Sequence, residues 1–182
     1  MVRLYALHKP RGVICSKVRE ASAATVFELM PEPFRDWFAV GRLDKDSEGL
    51  LLFANDSLLA QRLMDPGGAA KTYLVTVQGL PSEEALAPLR RGGLVIDGKA
   101  VAPVEVRRLA KAPRGGTKFE VVLHEGRNRQ IRRSFAAAGF KVRRLVRVGI
   151  GHLSLGALPA GEGRELTAAE VADLVGRITV PQ

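Results

Sequence analysis

Residues 41–53 read Gly41-Arg42-Leu43-Asp44-Lys45-Asp46-Ser47-Glu48-Gly49-Leu50-Leu51-Leu52-Phe53. A polar turn with one arginine and two aspartates is followed at once by four apolar residues. Such an apolar run is typical of a strand that is buried on both faces. A carboxylate on a turn anchored to a buried strand would be held rigidly, as a catalytic carboxylate must be. Asp44 and Asp46 could equally be ordinary hydrogen-bonding turn residues, so both interpretations stay open at this point.

The second informative segment spans residues 127–147, which contain eight basic residues, seven of them arginine, and no acidic one. The whole chain has a net charge of +9 and a pI near 10.3. A segment of this kind repels itself unless a polyanion lies along it, and arginine suits bidentate contact with phosphate. The charge therefore indicates a nucleic-acid partner, with a solvated basic face as the alternative.

A helix is predicted over residues 127–138 within this segment. Three of its arginines fall on one face, at i, i+3 and i+4: Arg129, Arg132 and Arg133. Ile131 and Phe135 fall on another face, which would pack into the core. The helix start and the guanidinium groups would together form an anion site. One of these arginines beside Asp44 would keep the carboxylate ionised; a merely solvated basic helix face is the alternative.

The pattern of elements favours an α+β fold. Strands are predicted near residues 2–7, 38–43, 48–54, 71–77, 94–96, 100–109, 118–124, 141–148 and 151–155. Helices are predicted over residues 22–30, after Asp56, over 82–91, over 127–138 and over 167–176. Strands outnumber helices and do not alternate strictly with them, which predicts a mainly antiparallel sheet.

Several classes of protein are disfavoured by composition. No segment approaches the roughly 18 apolar residues of a membrane span. Cys15 is the single cysteine and the three histidines are scattered, so neither a disulfide framework nor a zinc site is indicated. We expect a cytoplasmic protein without a metal.

Four groups of residues together resemble the motifs of the RsuA-type bacterial RNA pseudouridine synthases. They are Gly41-Arg42-Leu43-Asp44, Gly49-Leu50-Leu51-Leu52, Lys71-Thr72-Tyr73 and Gly126-Arg127-Asn128-Arg129-Gln130-Ile131-Arg132-Arg133. The resemblance extends from Lys9-Pro10 to residues 161–166, and its departures are mild: Ser47 and Ala54 stand where threonine is usual. It implies the pseudouridine synthase catalytic fold, a mainly antiparallel bent sheet flanked by helices and loops, formed by residues 1–182 as one domain.

Most members of that family carry a small RNA-binding domain before the catalytic domain. Here the Lys9-Pro10 motif lies close to the first residue, so we expect that domain to be absent, as in the RluE-type branch. The resemblance then implies a monomer that acts on 23S ribosomal RNA of the large subunit, without cofactor or metal. Two alternatives are action on 16S ribosomal RNA and a non-enzymatic role in ribosome assembly.

The resemblance also assigns roles to individual residues. Asp44 would be the essential carboxylate, with Arg132 as its ion-pair partner. Tyr73 would stack on the target base, Leu145 would pack against it, and Arg42 would fill the space that the flipped base leaves. Asp46 and Glu48 would only shape the turn. Further contacts with RNA are expected from the remaining arginines of the basic segment: Arg127, Arg129, Arg133, Arg143, Arg144 and Arg147.

Overall fold

The apolar run after the polar turn forms a central strand, β3 (Glu48–Ala54), as the sequence predicts. The computed structural model describes residues 1–65, 68–127 and 129–176. The other strands are β1 (Leu4–Lys9), β2 (Phe38–Val40), β4 (Lys71–Gln78), β5 (Val95–Ile96), β6 (Lys99–Ala100), β7 (Glu105–Ala112), β8 (Gly116–Leu123), β9 (Val142–Ile150), β10 (Leu153–Ser154) and β11 (Gly163–Glu165). The helices are α1 (Ser57–Met64), α2 (Glu83–Arg91), α3 (Gln130–Ala137) and α4 (Ala168–Gly176).

Within the described residues, nine strands form one sheet in the order β11-β1-β3-β9-β4-β8-β7, with β2 beside β3 and β10 beside β9. Strands β5 and β6 pair separately. Among the strands of the described residues, all pairs are antiparallel except β3 with β9, which run parallel. The α+β class and the mainly antiparallel sheet are therefore confirmed. The parallel pair lies directly beside the polar turn.

Strand β3 is buried on both faces because alternate residues enter two different parts of the core. Leu50 and Leu52 pack on one face with residues of α1 and α4. Leu51 and Phe53 pack on the other face against the segment before β2. All four side chains are at most 1% exposed. A third cluster fills the space between α2, α3 and the strands β4, β7, β8 and β9.

Helices α1 and α2 each begin with a side-chain cap. The Asp56 carboxylate accepts a hydrogen bond from the Leu59 N–H at 2.8 Å. The Ser82 hydroxyl accepts one from the Ala85 N–H at 3.2 Å. Such caps satisfy backbone donors that the first helical turn leaves free. Two apolar side chains of α1 are exposed to solvent, Leu58 by 54% and Met64 by 45%.

The helix predicted over residues 22–30 is wrong in extent. Only Val26–Leu29 is helical there, as a short 3-10 turn. The preceding residues are held extended, because Thr25 bridges to Ile14 and the Val26 N–H donates to the Ile14 carbonyl at 2.9 Å. Long-range pairing therefore outweighs the local helical pattern.

Candidate active site

The turn that carries Asp44, residues 41–47, is fixed by hydrogen bonds. The Ser47 N–H donates to the Asp44 carbonyl at 2.9 Å. The ammonium group of Lys9, a fully buried side chain, donates to the carbonyl oxygens of Ser47 at 2.7 Å and Pro10 at 3.0 Å. Burial lowers the pKa of Lys9, and such hydrogen bonds offset the cost of removing its charge from water.

Gly49 brings the turn against strand β9. The parallel pairing sets Gly49 opposite Arg147. A Cβ atom at Gly49 would lie 2.2 Å from the Arg147 carbonyl oxygen, and the φ angle is +110°. Only glycine fits both constraints. The close approach places Asp44 near β9, the strand that carries Leu145.

Four charged side chains join the turn to α3. Asp44 Oδ2 accepts a hydrogen bond from Arg129 Nη1 at 3.2 Å. Arg129 also donates to Asp46, from Nη1 to Oδ1 at 3.2 Å and from Nη2 to Oδ2 at 3.4 Å. Arg132 Nη2 lies 3.4 Å from Asp46 Oδ2. The partner of Asp44 is thus Arg129, and the expected pair of Asp44 with Arg132 is replaced by a pair of Asp46 with Arg132.

Arg129 takes this place because it stands outside the helix. Its backbone has φ +50° and ψ +31°, in the left-handed region, and α3 starts one residue later. The prediction that Arg129 lies on a helix face with Arg132 and Arg133 is therefore wrong. A left-handed residue turns its side chain away from the face that the helical periodicity implies. Asn128, which belongs to the same sequence motif, lies outside the described residues.

Partial burial raises the pKa of Asp46, but the hydrogen bond from Arg129 and the charges of Arg132 and Arg129 outweigh it, so the pKa is lowered. The hydrogen bond with Asp46 raises the pKa of Arg129. Asp46 therefore does more than shape the turn: its carboxylate stays ionised and contacts both arginines. Glu48 likewise has a partner, because its carboxylate accepts two hydrogen bonds from Arg144 at 3.0 Å.

Beside Asp44 lies a cleft of about 380 Å³ that is partly open to solvent. Tyr73 on β4 and Leu145 on β9 line it, and so does the exposed Arg42. Of the residues predicted to act on the base, Asp44, Tyr73, Leu145 and Arg42 are thus brought together. Arg132 lies instead in a neighbouring groove.

That groove has a volume of about 770 Å³ and is more open than the cleft. Its charged lining residues are Arg11, Asp46, Arg129, Arg132, Lys141 and Arg143. Arg129 lines both the groove and the cleft. Among the described residues, the side chains of Arg11 and Lys141 make no hydrogen bond or ion pair, which leaves both available to a polyanion.

The arginines expected to contact RNA differ in their surroundings. Each of three pairs with an acidic residue: Arg127 with Glu125, Arg133 with Asp97 and Arg144 with Glu48. Arg143 donates to the Pro113 carbonyl at 3.0 Å. The basic segment is therefore balanced largely by carboxylates from elsewhere in the chain, so its charge alone does not require a polyanion.

Arg147 does not fit the expectation of a surface contact with phosphate. Its side chain is buried, with 5% exposure, and its Nε donates to the Leu50 carbonyl at 2.7 Å. This hydrogen bond ties Arg147 to β3, while its buried Nη2 has no hydrogen-bond partner among the described residues. Arg147 and Lys71 both border the cleft. The pKa of Lys71 is lowered by the burial of Lys71 itself and by the positive charge of Arg147.

Two residues of this site had no role in the sequence interpretation. The buried Lys9 ties β1 to the turn; the Lys9-Pro10 motif marked the start of the resemblance but gave Lys9 no role of its own. Lys71 borders the cleft two residues before Tyr73, so the alternation of strand residues could have placed it beside Tyr73.

Within the described residues, no group of three or more histidine, cysteine or acidic side chains is arranged to hold a metal ion. No helix in the described ranges is long and apolar enough to cross a membrane.

Comparison with known proteins gives consistent results. A family model described as RNA pseudouridylate synthase matches residues 3–137. The chain is 38% identical over 172 residues to the ribosomal large subunit pseudouridine synthase B of Bacillus subtilis (strain 168), covering 93% of this chain and 70% of that protein.

Two further matches concern a second bacterium and a solved structure. The protein of the same name from Salmonella typhimurium is 37% identical over 182 residues, which cover 98% of this chain and 62% of that one. The crystal structure of a pseudouridylate synthase matches with a TM-score of 0.83 at 30% identity, covering 96% of this chain and 74% of that chain.

Proposed function

The chain belongs to the RNA pseudouridylate synthase family, and on this premise we propose that it converts a specific uridine of 23S ribosomal RNA to pseudouridine. It is an RNA pseudouridine synthase, an isomerase, with the family's mainly antiparallel fold. The names of both relatives described above support the large-subunit RNA as substrate. One structural observation carries the proposal: Asp44, paired with Arg129, lies on a fixed turn beside a cleft lined by Tyr73 and Leu145.

The reaction is an isomerisation within one nucleoside. The bond between ribose C1′ and N1 of uracil breaks, a bond between C1′ and C5 forms, C5 loses a proton and N1 gains one. Asp44 would attack the ribose or the base, or remove a ribose proton. Each route needs an ionised carboxylate in a sheltered position. Arg129 Nη1 donates a hydrogen bond to Asp44 Oδ2 at 3.2 Å and so places a positive charge beside this carboxylate.

The target uridine must leave its stack to reach Asp44, which costs a few kcal/mol. Tyr73 offers an aromatic face to the base, and Leu145 offers an apolar surface on the neighbouring strand. Arg42 is exposed at the cleft and would fill the vacated space. The flanking phosphates would contact Arg127 at the cleft and the basic lining of the groove.

The RluE-type branch stays a prediction, because the curated relatives described above carry the name synthase B. The choice of 23S RNA does not depend on that branch. The expectation of a monomer that needs no cofactor likewise remains part of the proposal.

The proposal is tested with Asp44→Asn and Asp44→Ala on ribosomal RNA transcripts that carry tritium at C5 of uridine. Because C5 loses its proton, tritium release reports the reaction. We expect a loss of at least about 1,000-fold in rate, while the dissociation constant for RNA changes by less than about threefold. Asp36→Asn, which alters an exposed aspartate before β2, serves as the control and should react normally.

Turnover by Asp44→Asn would contradict the role of Asp44. Tritium release from the 16S transcript alone would show that the substrate is 16S and not 23S ribosomal RNA, and the proposed reaction would stand. Tight RNA binding by the unaltered protein, with no release from any ribosomal transcript, would favour a role in ribosome assembly instead.

A further inference from the structure

Asp46 makes more contacts with the arginines of the site than Asp44 does. Both oxygens of Asp46 accept hydrogen bonds from Arg129, at 3.2 and 3.4 Å. Asp44 accepts one, at Oδ2. Arg129 therefore uses both Nη1 and Nη2 to bind Asp46. It binds Asp44 through Nη1 alone, so this nitrogen donates to both carboxylates.

We propose that Asp46 is a positioning residue, which holds Arg129 so that Arg129 makes a single hydrogen bond with Asp44 and leaves Asp44 Oδ1 free for the uridine. The inference rests on the proposed function and goes beyond it, because it concerns a carboxylate that takes no part in the bonds made and broken.

The free oxygen is the first support. Among the described residues, no group donates a hydrogen bond to Asp44 Oδ1, and the Asp44 side chain is 26% exposed beside the cleft. Guanidinium groups favour two parallel hydrogen bonds with one carboxylate. If Asp46 were neutral, Arg129 would be free to form such a pair with Asp44 and to occupy the oxygen that the substrate needs.

The second support is that Arg129 depends on these carboxylates while Arg132 does not. Arg132 also donates to the backbone carbonyls of Asp46 at 3.0 Å and Val142 at 3.5 Å, and its side chain is 11% exposed. The Arg129 side chain is 41% exposed, and its hydrogen bonds go to Asp44 and Asp46. Loss of the Asp46 charge would therefore displace Arg129 and leave Arg132 in place.

The third support is that the turn does not need the Asp46 carboxylate. The turn is held by the Ser47 N–H bonded to the Asp44 carbonyl and by Lys9 bonded to the Ser47 carbonyl. An amide at position 46 keeps the shape of the side chain, removes its charge and replaces one acceptor oxygen with an NH2 donor. Asp46→Asn should thus fold normally, which a melting temperature within a few degrees of the unaltered protein would verify.

The test measures the single-turnover rate at saturating RNA and, separately, the dissociation constant of the RNA. For Asp46→Asn we expect a rate that is about 10-fold to 100-fold lower, with RNA bound as tightly or more tightly because a negative charge is lost. A merely structural defect would lower the rate and also weaken the binding of RNA. Asp46→Glu restores the charge and should recover most of the rate. Asp97→Asn, which removes the acidic partner of Arg133 on α3, is the matched control and should keep the normal rate.

A double substitution separates positioning of Arg129 from other effects. In an Arg129→Met background, Asp46→Asn should change the rate by less than about twofold, because the residue it positions is gone. The inference would be overturned if the rate losses of Asp46→Asn and Arg129→Met multiplied in the double variant. A normal rate for Asp46→Asn would overturn it as well, provided that the unaltered enzyme is active. An inactive unaltered protein would instead overturn the proposed function and this inference with it.

Discussion

The two sides of the cleft are held in place by different forces. The turn at residues 41–47 is fixed by backbone hydrogen bonds, by the buried Lys9 and by the close contact of Gly49 with β9. At the start of α3 the side chain of the N-cap residue Arg129 makes no capping hydrogen bond with the described residues, and its backbone is left-handed. Its placement depends on ion pairs with the turn. The geometry of the first side follows from packing, whereas that of the second follows from the balance of charges.

The energies involved explain why this difference matters. A non-glycine residue in the left-handed region costs about 1 kcal/mol or more, and each partly exposed ion pair contributes about 0 to 1 kcal/mol. These terms nearly cancel at Arg129. Relieving a steric overlap in a packed interior costs more free energy than this, because the surrounding atoms have little room to move. We therefore expect large effects on stability from the turn and small ones from the start of α3.

The largest effect should follow from Gly49→Ala. The added Cβ would meet the Arg147 carbonyl oxygen at 2.2 Å, at a φ of +110°. We expect a loss of about 4 kcal/mol or more in the free energy of unfolding, measured by urea denaturation. Gly12→Ala is the control: its φ is also positive, but no heavy atom lies within 4 Å of the added Cβ. Equal losses in both variants would show that backbone strain, not the contact with β9, decides the result.

The turn could be read from the sequence because its determinants are local. Four apolar residues in a row predict a strand buried on both faces, and the bounds of β3 agree with the prediction, residues 48–54. The adjacency of Asp44, Tyr73 and Leu145 was implied by the resemblance to a family. It could not follow from spacing, because it depends on the pairing of β4 with β9 and of β3 with β9.

The surroundings of the arginines could not be read in the same way. The helical periodicity placed Arg129 on a helix face, but its carboxylate partners lie more than 80 positions earlier in the chain. Arg147 looked like one more surface cation, yet the parallel contact with Gly49 buries it. Charge composition reports how many cations a segment has, and only the fold decides which of them are already neutralised.

A smaller and pH-dependent effect is expected from Glu48→Gln on the turn side. The hydrogen bonds from Arg144 lower the pKa of Glu48 below its ordinary value of 4.5. A carboxyl group with a lower pKa in the folded state stabilises the fold above the unfolded value, and that contribution is lost as the pH falls below it. Glu48→Gln should therefore cost about 1 kcal/mol at pH 7.

The pH dependence is checked by urea denaturation at pH 7, 5, 4 and 3. The difference between Glu48→Gln and the unaltered protein should shrink steadily below pH 4.5. Arg144→Met removes the ion pair with Glu48 from the arginine side. It should abolish the same pH-dependent contribution to the free energy of unfolding. A difference that is as large at pH 3 as at pH 7 would show that packing, not charge, is responsible.

The smallest effect on stability is expected from Arg129→Gly, the converse of Gly49→Ala. Glycine relieves the left-handed backbone at φ +50° but removes the ion pairs with Asp44 and Asp46, so the free energy of unfolding should change by less than about 1 kcal/mol. Arg114→Gly is the matched control, because Arg114 has a φ of +58° and its side chain makes no hydrogen bond or ion pair with any described residue. That control should gain about 0.5 to 1 kcal/mol, and its difference from Arg129→Gly measures the ion pairs alone. A loss of several kcal/mol in Arg129→Gly would mean that the ion pairs hold the fold as firmly as the packing at Gly49 does, and the contrast between the two sides of the cleft would disappear.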